Sequence, residues 1–145
     1  MSLVITSETH RDHRGLLLTY PFMSAQFNIC FNDHTGTLRG LHYREPPGAK
    51  LIICIKGSLY DVVVELETNE ITPMPMKVGD MRYIPEGFAH GFQTLEEKTE
   101  IFYLLAEPYV AELERGIKYD SFNIKWPLPI TSISEKDNEL PRLSL

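Results

Sequence analysis

Residues 50–66, KLIICIKGSLYDVVVEL, decide the fold, because they place two strand patterns on either side of a single glycine. Residues 50–56 form a nearly continuous apolar run, which is typical of a strand covered on both faces. Residues 58–66 follow with the alternation and β-branched content of a second strand. Because only a short turn at Gly57 separates the two patterns, they predict a β-hairpin.

Further strand patterns lie on both sides of this pair, and they cover residues 16–18, 27–31, 80–85, 88–92 and 99–105. A charged turn over residues 9–15 precedes the first of them, and residues 67–79 are predicted to form a polar loop that contains two prolines. Helical signals are limited to one turn near residues 112–115 and a capping pattern at Ser134. Closely spaced strands, with at most short helical turns near the C-terminus, predict an all-β sandwich, barrel or jelly roll.

Length, composition and charge narrow the class of protein. A chain of 145 residues with 43% hydrophobic and 23% charged residues is typical of one globular domain, spanning residues 1–145. The formal net charge of −6 argues against nucleic acid as a partner, since a nucleic-acid site needs a basic face. The chain has neither an apolar run of the ~20 residues that span a bilayer nor a signal peptide, so we expect a cytoplasmic protein without membrane association. Cys54 lies inside an apolar run, which indicates a buried thiol in a reducing compartment.

A second stretch, GTLRGLHY at residues 36–43, contains the first candidate site residues. It sets Arg39 and His42 three residues apart, and on a regular strand their side chains would point to opposite faces. If both side chains serve one site, a β-bulge is needed near Gly40, and bulges occur beside active sites. On its own the motif leaves a structural role open, because a histidine in a strand is more often a hydrogen-bonded structural residue than a base.

Seven motifs occur in order along the chain: GTLRGLHY (36–43), KL (50–51), GSLYDV (57–62), YIPEGFAHGF (83–92), TE (99–100), ERGI (114–117) and SEKD (134–137). Together they resemble the dTDP-4-dehydrorhamnose 3,5-epimerase family, which acts on nucleotide-linked 4-keto sugars, from about residue 14 to residue 137. The resemblance implies a cupin-type jelly roll (a double-stranded β-helix) in a homodimer that exchanges N-terminal strands, with no metal or other cofactor. It also implies an isomerase of deoxysugar and polysaccharide biosynthesis that inverts C3, C5 or both in a nucleotide-linked 4-keto-6-deoxy sugar.

Four residues match the catalytic set of that family. His42 matches the base, and Asp137 matches the carboxylate that pairs with it. Lys50 matches the lysine that stabilises the enolate, and Tyr109 matches the acid on the opposite face of the sugar. Epimerisation beside a ketone removes a C–H proton and returns one from the other side, so a histidine base, a cation for the enolate oxygen and a phenol donor suit it.

Five further residues are candidates for substrate binding through the same resemblance. Arg39 and Arg14 match residues that hold the diphosphate, with Arg14 reaching into the partner subunit's site. His90 matches a histidine that lines the site, Asn28 stands where relatives carry a glutamine, and Lys136 belongs to the SEKD motif.

Without the resemblance, each of these residues has a structural interpretation. Asp137 could act only as the acid of a helix cap, Lys50 could protect an edge strand against aggregation, and Tyr109 could be a half-buried packing residue. His90 could be a core residue or a metal ligand of another cupin, while both arginines could be solvated. A metal-dependent cupin is disfavoured because Tyr43 and Arg44 follow His42, so the His-x-His pair of such a metal site is missing.

The chain also departs from the family pattern. It is shorter, and Cys30 stands where relatives carry an asparagine amide that contacts the nucleotide. The usual tyrosine pair is Pro108-Tyr109, which keeps the second tyrosine. A complete catalytic set with an altered nucleotide-binding set leaves three alternatives: a C3-only epimerase, a ketoisomerase on a different nucleotide sugar, and a non-catalytic sugar-nucleotide-binding cupin.

Overall fold

The computed structural model of the protein describes residues 7–22 and 25–143, which form two antiparallel β-sheets. In chain order the strands are β1 (Glu8–Asp12), β2 (Gly15–Phe22), β3 (Ala25–Asn32), β4 (Leu38–Arg44), β5 (Lys50–Lys56), β6 (Ser58–Glu65), β7 (Ile71–Lys77), β8 (Met81–Ile84), β9 (Phe88–Thr94), β10 (Thr99–Leu105) and β11 (Glu114–Gly116). The first sheet has the order β1-β2-β3-β10-β5-β8, and the second has the order β11-β4-β9-β6-β7. The all-β prediction is confirmed, with one short helix, α1 (Glu135–Asn138), near the C-terminus.

The main core lies between the two sheets. Ile52 of the six-stranded sheet and Leu59 of the five-stranded sheet belong to one buried cluster. A second cluster, which includes Val62 and Phe122 of the C-terminal segment, covers the opposite face of the five-stranded sheet. The five-stranded sheet is therefore buried on both faces, because consecutive residues of β6 point alternately into the two clusters.

Within one chain, strand β5 is covered on one face only, which differs from the prediction. Ile52 and Cys54 point inward and are buried, whereas Ile55 is 41% exposed. The apolar run of β5 instead supplies the core on one side and an apolar outer surface on the other.

The predicted hairpin at Gly57 is also wrong, since β5 and β6 belong to different sheets. Strand β5 pairs with β10 and β8, while β6 pairs with β7 and β9. Gly57 has a φ of +75°, and a Cβ there would lie 2.4 Å from Thr99 Oγ1. This residue therefore lets the chain pass from one sheet to the other at a point of close contact.

Two segments predicted to lack strands form edge strands. Residues 67–79 contain β7, in which Pro73 lies opposite Val62 and Pro75 opposite Tyr60. Proline is tolerated there because an edge strand leaves one row of its backbone groups unpaired. In the same way the charged turn over residues 9–15 is mostly the exposed strand β1, paired with β2.

The turn predicted near residues 112–115 is a 3₁₀ turn at Ala111–Leu113, followed directly by β11. The capping pattern is confirmed, because Ser134 Oγ accepts a hydrogen bond of 3.0 Å from the backbone N–H of Asp137. With α1 only one turn long, the part of the chain that the structure describes holds no helix with the length and apolar character needed to cross a membrane.

Candidate active site

One cleft of about 1110 Å³ opens between the two sheets. All nine residues predicted to serve a site line this cleft: Arg14, Asn28, Arg39, His42, Lys50, His90, Tyr109, Lys136 and Asp137. They come from both sheets, from the turn between β1 and β2, from the loop after β10 and from α1. The fold thus brings together groups that are up to 123 positions apart in the chain (14 to 137).

The predicted β-bulge explains how β4 contributes two of these site residues, Arg39 and His42. The register of β4 against β9 shifts between Arg39, which lies opposite Phe92, and His42, which lies opposite His90. The shift includes Gly40, where a Cβ would lie 2.6 Å from the Cα of Gly91. Because the bulge adds a residue to one strand, both side chains reach the same cleft.

His42 and Asp137 form the shortest polar contact between the predicted residues, with 2.6 Å from Nε2 to Oδ1. The second oxygen, Oδ2, accepts a hydrogen bond of 3.1 Å from the backbone N–H of Gly40. Burial raises the pKa of Asp137, but the hydrogen bonds from His42 and Gly40 outweigh it and leave the pKa below its usual range. The carboxylate is therefore ionised and accepts from Nε2–H, so that in the neutral imidazole the lone pair lies on Nδ1.

Arg14 lines the cleft of its own chain, and its reach into a partner subunit's site stays a prediction. Its Nη1 is 3.8 Å from Asp137 Oδ2. Its closest partner is Asp12, which accepts hydrogen bonds from Nε at 3.0 Å and Nη2 at 2.5 Å. This pairing lowers the pKa of Asp12 to about 2. Asp12 therefore fixes the guanidinium beside the His42–Asp137 pair.

Arg39 is held by a residue that the sequence did not indicate. Its Nε donates a hydrogen bond of 2.8 Å to Oδ1 of Asn32, whose amide donates to Thr99 O at 3.1 Å. Asn28 is buried and accepts a hydrogen bond of 3.1 Å from Gln26. Cys30 is fully buried in the core and does not face the cleft, in keeping with the expectation that it cannot replace a nucleotide-binding amide.

Lys50 lies at the start of β5, between β10 and β8, so the alternative of an edge-strand lysine is wrong. Burial lowers the pKa of Lys50, while the carboxylates of Glu114 and Asp61 act in the opposite direction. An ammonium group in this position supplies positive charge in a poorly solvated part of the cleft.

His90 is buried and bonded to two residues that the sequence did not indicate. Its Nε2 lies 2.5 Å from Oδ1 of Asp61, and Oδ2 of the same carboxylate accepts from Arg82 Nη1 at 2.9 Å. Burial lowers the pKa of His90, and the charges of Lys50 and His42 lower it further, against the effect of Asp61. An acidic residue within the apolar pattern of β6 was the one available signal for this cluster.

Tyr109 lies on the loop between β10 and β11, is 48% exposed and lines the cleft. Its backbone N–H donates to Gln26 Oε1 at 3.1 Å, and the preceding carbonyl, of Pro108, accepts from Arg44 Nη1 at 3.2 Å. Lys136 is exposed at the rim formed by α1. Among the nine residues, ion-pair contacts within 4 Å join Asp137 to His42 and to Arg14.

Two packed β-sheets around a cleft with a histidine–carboxylate pair, a partly buried lysine and two arginines define a cupin-type protein with groups suited to acid–base chemistry. The chain belongs to the dTDP-4-dehydrorhamnose 3,5-epimerase family, whose model matches residues 2–144.

Individual relatives support this assignment. The chain is 41% identical over 160 residues to a dTDP-4-dehydrorhamnose 3,5-epimerase of Methanothermobacter thermautotrophicus, covering 94% of this chain and 86% of the relative. It is 38% identical over 130 residues to the enzyme of that name from Sinorhizobium fredii, covering 81% and 67%. A dTDP-4-dehydro-6-deoxyglucose 3-epimerase of Streptomyces is 30% identical, covering 93% and 81%.

Solved structures agree on the fold. A dTDP-4-dehydrorhamnose 3,5-epimerase from Bacillus anthracis, with TDP and pyrophosphate bound, superposes with a TM-score of 0.75 at 29% identity and covers 95% of this chain and 91% of that one. A 3'-monoepimerase from Streptomyces bikiniensis, in complex with dTDP-quinovose, gives a TM-score of 0.71 at 28% identity, covering 94% and 80%. The cupin-type fold that the motifs implied is confirmed.

Proposed function

We propose that this protein is an isomerase that inverts C3 and C5 of a dTDP-linked 4-keto-6-deoxy sugar by removing and returning protons through an enolate. The observation that carries the proposal is the 2.6 Å contact between His42 and the ionised carboxylate of Asp137 inside the cleft. Relatives named 3,5-epimerases and 3-epimerases both match the chain, so inversion at C3 alone is the second candidate.

His42 is the base in this mechanism. Because Asp137 accepts from Nε2–H, the lone pair of Nδ1 is available to take the proton from the carbon beside the ketone. The imidazolium that forms is stabilised by the same carboxylate, which carries the matching negative charge. The ring is 35% exposed, so a sugar in the cleft can reach it.

Lys50 stabilises the enolate that proton removal creates. Negative charge develops on the C4 oxygen, and a positively charged group prearranged in a poorly solvated site is most effective at that point. Because burial lowers the pKa of Lys50, its charge is lost at a lower pH than that of a free lysine.

Tyr109 is the acid that returns a proton from the opposite face of the sugar. A phenol carries no charge until it gives up its proton, so it waits in the cleft without repelling the enolate. The hydrogen bonds from its backbone to Gln26 and from Arg44 to Pro108 hold the loop that presents it.

Arg39 and Arg14 hold the diphosphate of the nucleotide sugar. Guanidinium groups bind phosphate oxygens through paired N–H donors, and both are already oriented by Asn32 and Asp12. Asn28, His90 and Lys136 complete the substrate-binding set at other points of the cleft lining.

The test is to incubate the protein with dTDP-4-keto-6-deoxyglucose in heavy water and follow deuterium in the sugar by NMR. Deuterium at C3 and C5 is the expected result, and deuterium at C3 alone identifies the second candidate. His42→Ala is expected to lose at least ~10²-fold in exchange rate, the lower end for a general base. His34→Ala, a change at an exposed histidine outside the cleft lining, serves as the matched control. Absence of exchange in the wild-type protein across several dTDP-4-keto sugars would refute the proposal.

We further propose that the protein is a homodimer through the outer face of the six-stranded sheet. Two rows of apolar residues cross this face in register: Tyr83, Leu51, Leu104, Phe27 and Tyr20, and beside them Met81, Ile53, Phe102, Ile29 and Leu18. Tyr83 is 63% exposed and Met81 is 54% exposed. A continuous apolar surface of this width is typical of a protein–protein interface.

Size-exclusion chromatography with light scattering, which gives the mass of the eluted protein, tests this assembly. We expect the mass of two chains for the wild type and of one chain for Leu104→Glu, because the new charge lies in the middle of a row. Leu143→Glu changes an exposed leucine of the C-terminal segment and should leave the dimer intact. A wild-type mass of one chain would contradict the assembly without affecting the proposed chemistry.

A further inference from the structure

Two histidine–aspartate pairs face the same cleft. His42 of β4 and His90 of β9 are partners across the antiparallel ladder, and each is bonded through Nε2 to a buried carboxylate. Asp137 is 2% exposed and Asp61 is fully buried. A site that needs one base therefore contains two groups of the same chemical type.

The second oxygen of each carboxylate distinguishes the pairs. Oδ2 of Asp137 accepts from the neutral N–H of Gly40 at 3.1 Å, with Arg14 further away at 3.8 Å. Oδ2 of Asp61 is instead in direct contact with a guanidinium, at 2.9 Å from Arg82 Nη1. The other terminal nitrogen of Arg82 donates to Thr72 O at 2.8 Å, so the side chain is fixed at both ends of its guanidinium.

We propose that Arg82 is a positioning residue that offsets the charge of Asp61 and so keeps His90 a weak base, uncharged at neutral pH, which leaves His42 as the stronger base of the cleft. The inference rests on the proposed function for its catalytic consequence. Its structural part concerns the charge of His90 alone and can be measured without substrate.

The contacts determine the tautomer of His90 as well as its charge. A carboxylate has no proton to donate, so Nε2 of His90 carries the hydrogen and Nδ1 carries the lone pair. His90 lines the cleft, and no hydrogen bond among the described residues uses its Nδ1. His90 thus offers a neutral hydrogen-bond acceptor, which suits a sugar hydroxyl or the Lys50 ammonium. Because Arg82 offsets the carboxylate that would stabilise its imidazolium, His90 is a poor base for the C–H proton.

The groups around His90 all bear on this charge. They are Asp61 on β6, His42 on β4, Lys50 on β5 and, through Asp61, Arg82 on β8, with Tyr103 of β10 and Glu114 of β11 in the same cleft. In the wild-type protein the carboxylate of Asp61 is offset by Arg82, so burial and the neighbouring cations decide and lower the pKa of His90. Without Arg82, the same carboxylate would face His90 alone and favour the imidazolium.

The experiment is an NMR titration of histidine-labelled protein, with the His90 resonances assigned by His90→Gln. We expect ring nitrogen shifts of the neutral Nε2–H tautomer in the wild type at neutral pH. Arg82→Met should raise the titration midpoint of His90 by about one to three pH units, the usual effect of an opposite charge that is no longer offset. Arg82→Lys should restore most of the wild-type midpoint, because it keeps the charge. Arg142→Met, which removes a guanidinium paired with Asp120 at the surface, should change nothing.

Either of two results would overturn the inference: a doubly protonated His90 in the wild-type protein at neutral pH, or a folded Arg82→Met protein with an unchanged midpoint. The first does not depend on any variant, so it decides the matter even if Arg82→Met fails to fold. If deuterium exchange occurs, its decline on the acid side should move to higher pH in Arg82→Met and not in Arg82→Lys. If the wild-type protein shows no deuterium exchange but His90 titrates as expected in all variants, the proposed function is refuted and the role of Arg82 stands.

Discussion

Replacing Asp137 by asparagine would change the His42–Asp137 pair with almost no change in shape. The two oxygens of the carboxylate accept from His42 and from the N–H of Gly40, at 2.6 and 3.1 Å. An asparagine has one oxygen and one NH₂ group, so only one of these contacts can stay as it is. The backbone N–H of Gly40 is fixed as a donor and takes the oxygen, which turns the NH₂ group toward Nε2 of His42.

The size of the expected rate loss follows from the tautomer of His42 that the new contact with the NH₂ group imposes. An NH₂ group donates to Nε2, so the ring hydrogen moves to Nδ1 and the lone pair that faced the cleft is lost. An equivalent change in a histidine–aspartate pair of a hydrolase lowers kcat about 10⁴-fold. We therefore expect exchange at C3 to be about 10³- to 10⁴-fold slower, which corresponds to about 4 to 5.5 kcal/mol of activation free energy.

Deuterium exchange at fixed substrate concentration measures this effect, and Asp120→Asn is the matched control. Asp120 pairs with Arg142 at the surface, so its replacement removes the same charge outside the cleft. Exchange by Asp137→Asn within tenfold of the wild-type rate would refute the tautomer argument. It would show that His42 does not need a carboxylate on Nε2.

The same variant has a stability signature that needs no substrate. The pKa of Asp137 is lowered in the folded protein, so its charged form stabilises the fold above the usual aspartate pKa. That stabilisation is lost as the pH falls through the folded-state value. Urea unfolding at a series of acidic pH values should therefore show a smaller decline in the free energy of unfolding for Asp137→Asn than for the wild type.

Three further predictions test the remaining groups. Lys50→Met should lower kcat about 10²- to 10³-fold, and it should not lower thermal stability because it removes a poorly solvated charge. In the wild-type protein, the decline in exchange at high pH should begin below the usual lysine range, because burial lowers the pKa of Lys50. Tyr109→Phe should slow net inversion more than hydrogen exchange at C3, because the base can still remove and return the proton on its own face; equal losses in both would contradict a role as the opposite acid. Gly40→Ala should reduce the amount of folded protein, measured by circular dichroism, because φ is +113° and the new Cβ would lie 2.6 Å from the Cα of Gly91. The control Gly79→Ala should fold, because a Cβ there has nothing within 4 Å.

Local patterns predicted the features that depend on neighbouring residues. The helix cap at Ser134 and the strand β10 needed only short stretches of sequence, and both are confirmed. The bulge at Gly40 followed from one geometrical requirement, that Arg39 and His42 face the same site. The grouping of nine distant residues in one cleft could not come from such patterns and followed from the family resemblance.

Errors and omissions arose where the partners of a strand or side chain come from other strands of the fold. The pattern around Gly57 is that of a hairpin, but β5 takes its partners from β10 and β8, which come later in the chain. Asn32 and Asp61 were missed because their roles depend on Arg39, seven residues away, and His90, 29 residues away. Arg82 was missed for the same reason, since nothing near it in the chain indicates a buried carboxylate.

Asp137 shows why its two interpretations were not true alternatives. In a full capping box, the acid three residues after the cap turns back to the backbone N–H of the cap residue. Here Ser134 makes its half of the box by accepting from the N–H of Asp137, while the carboxylate turns to Gly40 and His42. The cap fixes the backbone of Asp137, and this leaves the side chain free to reach across to β4. The residue pattern of a helix start therefore also positions the carboxylate on which the proposed base depends.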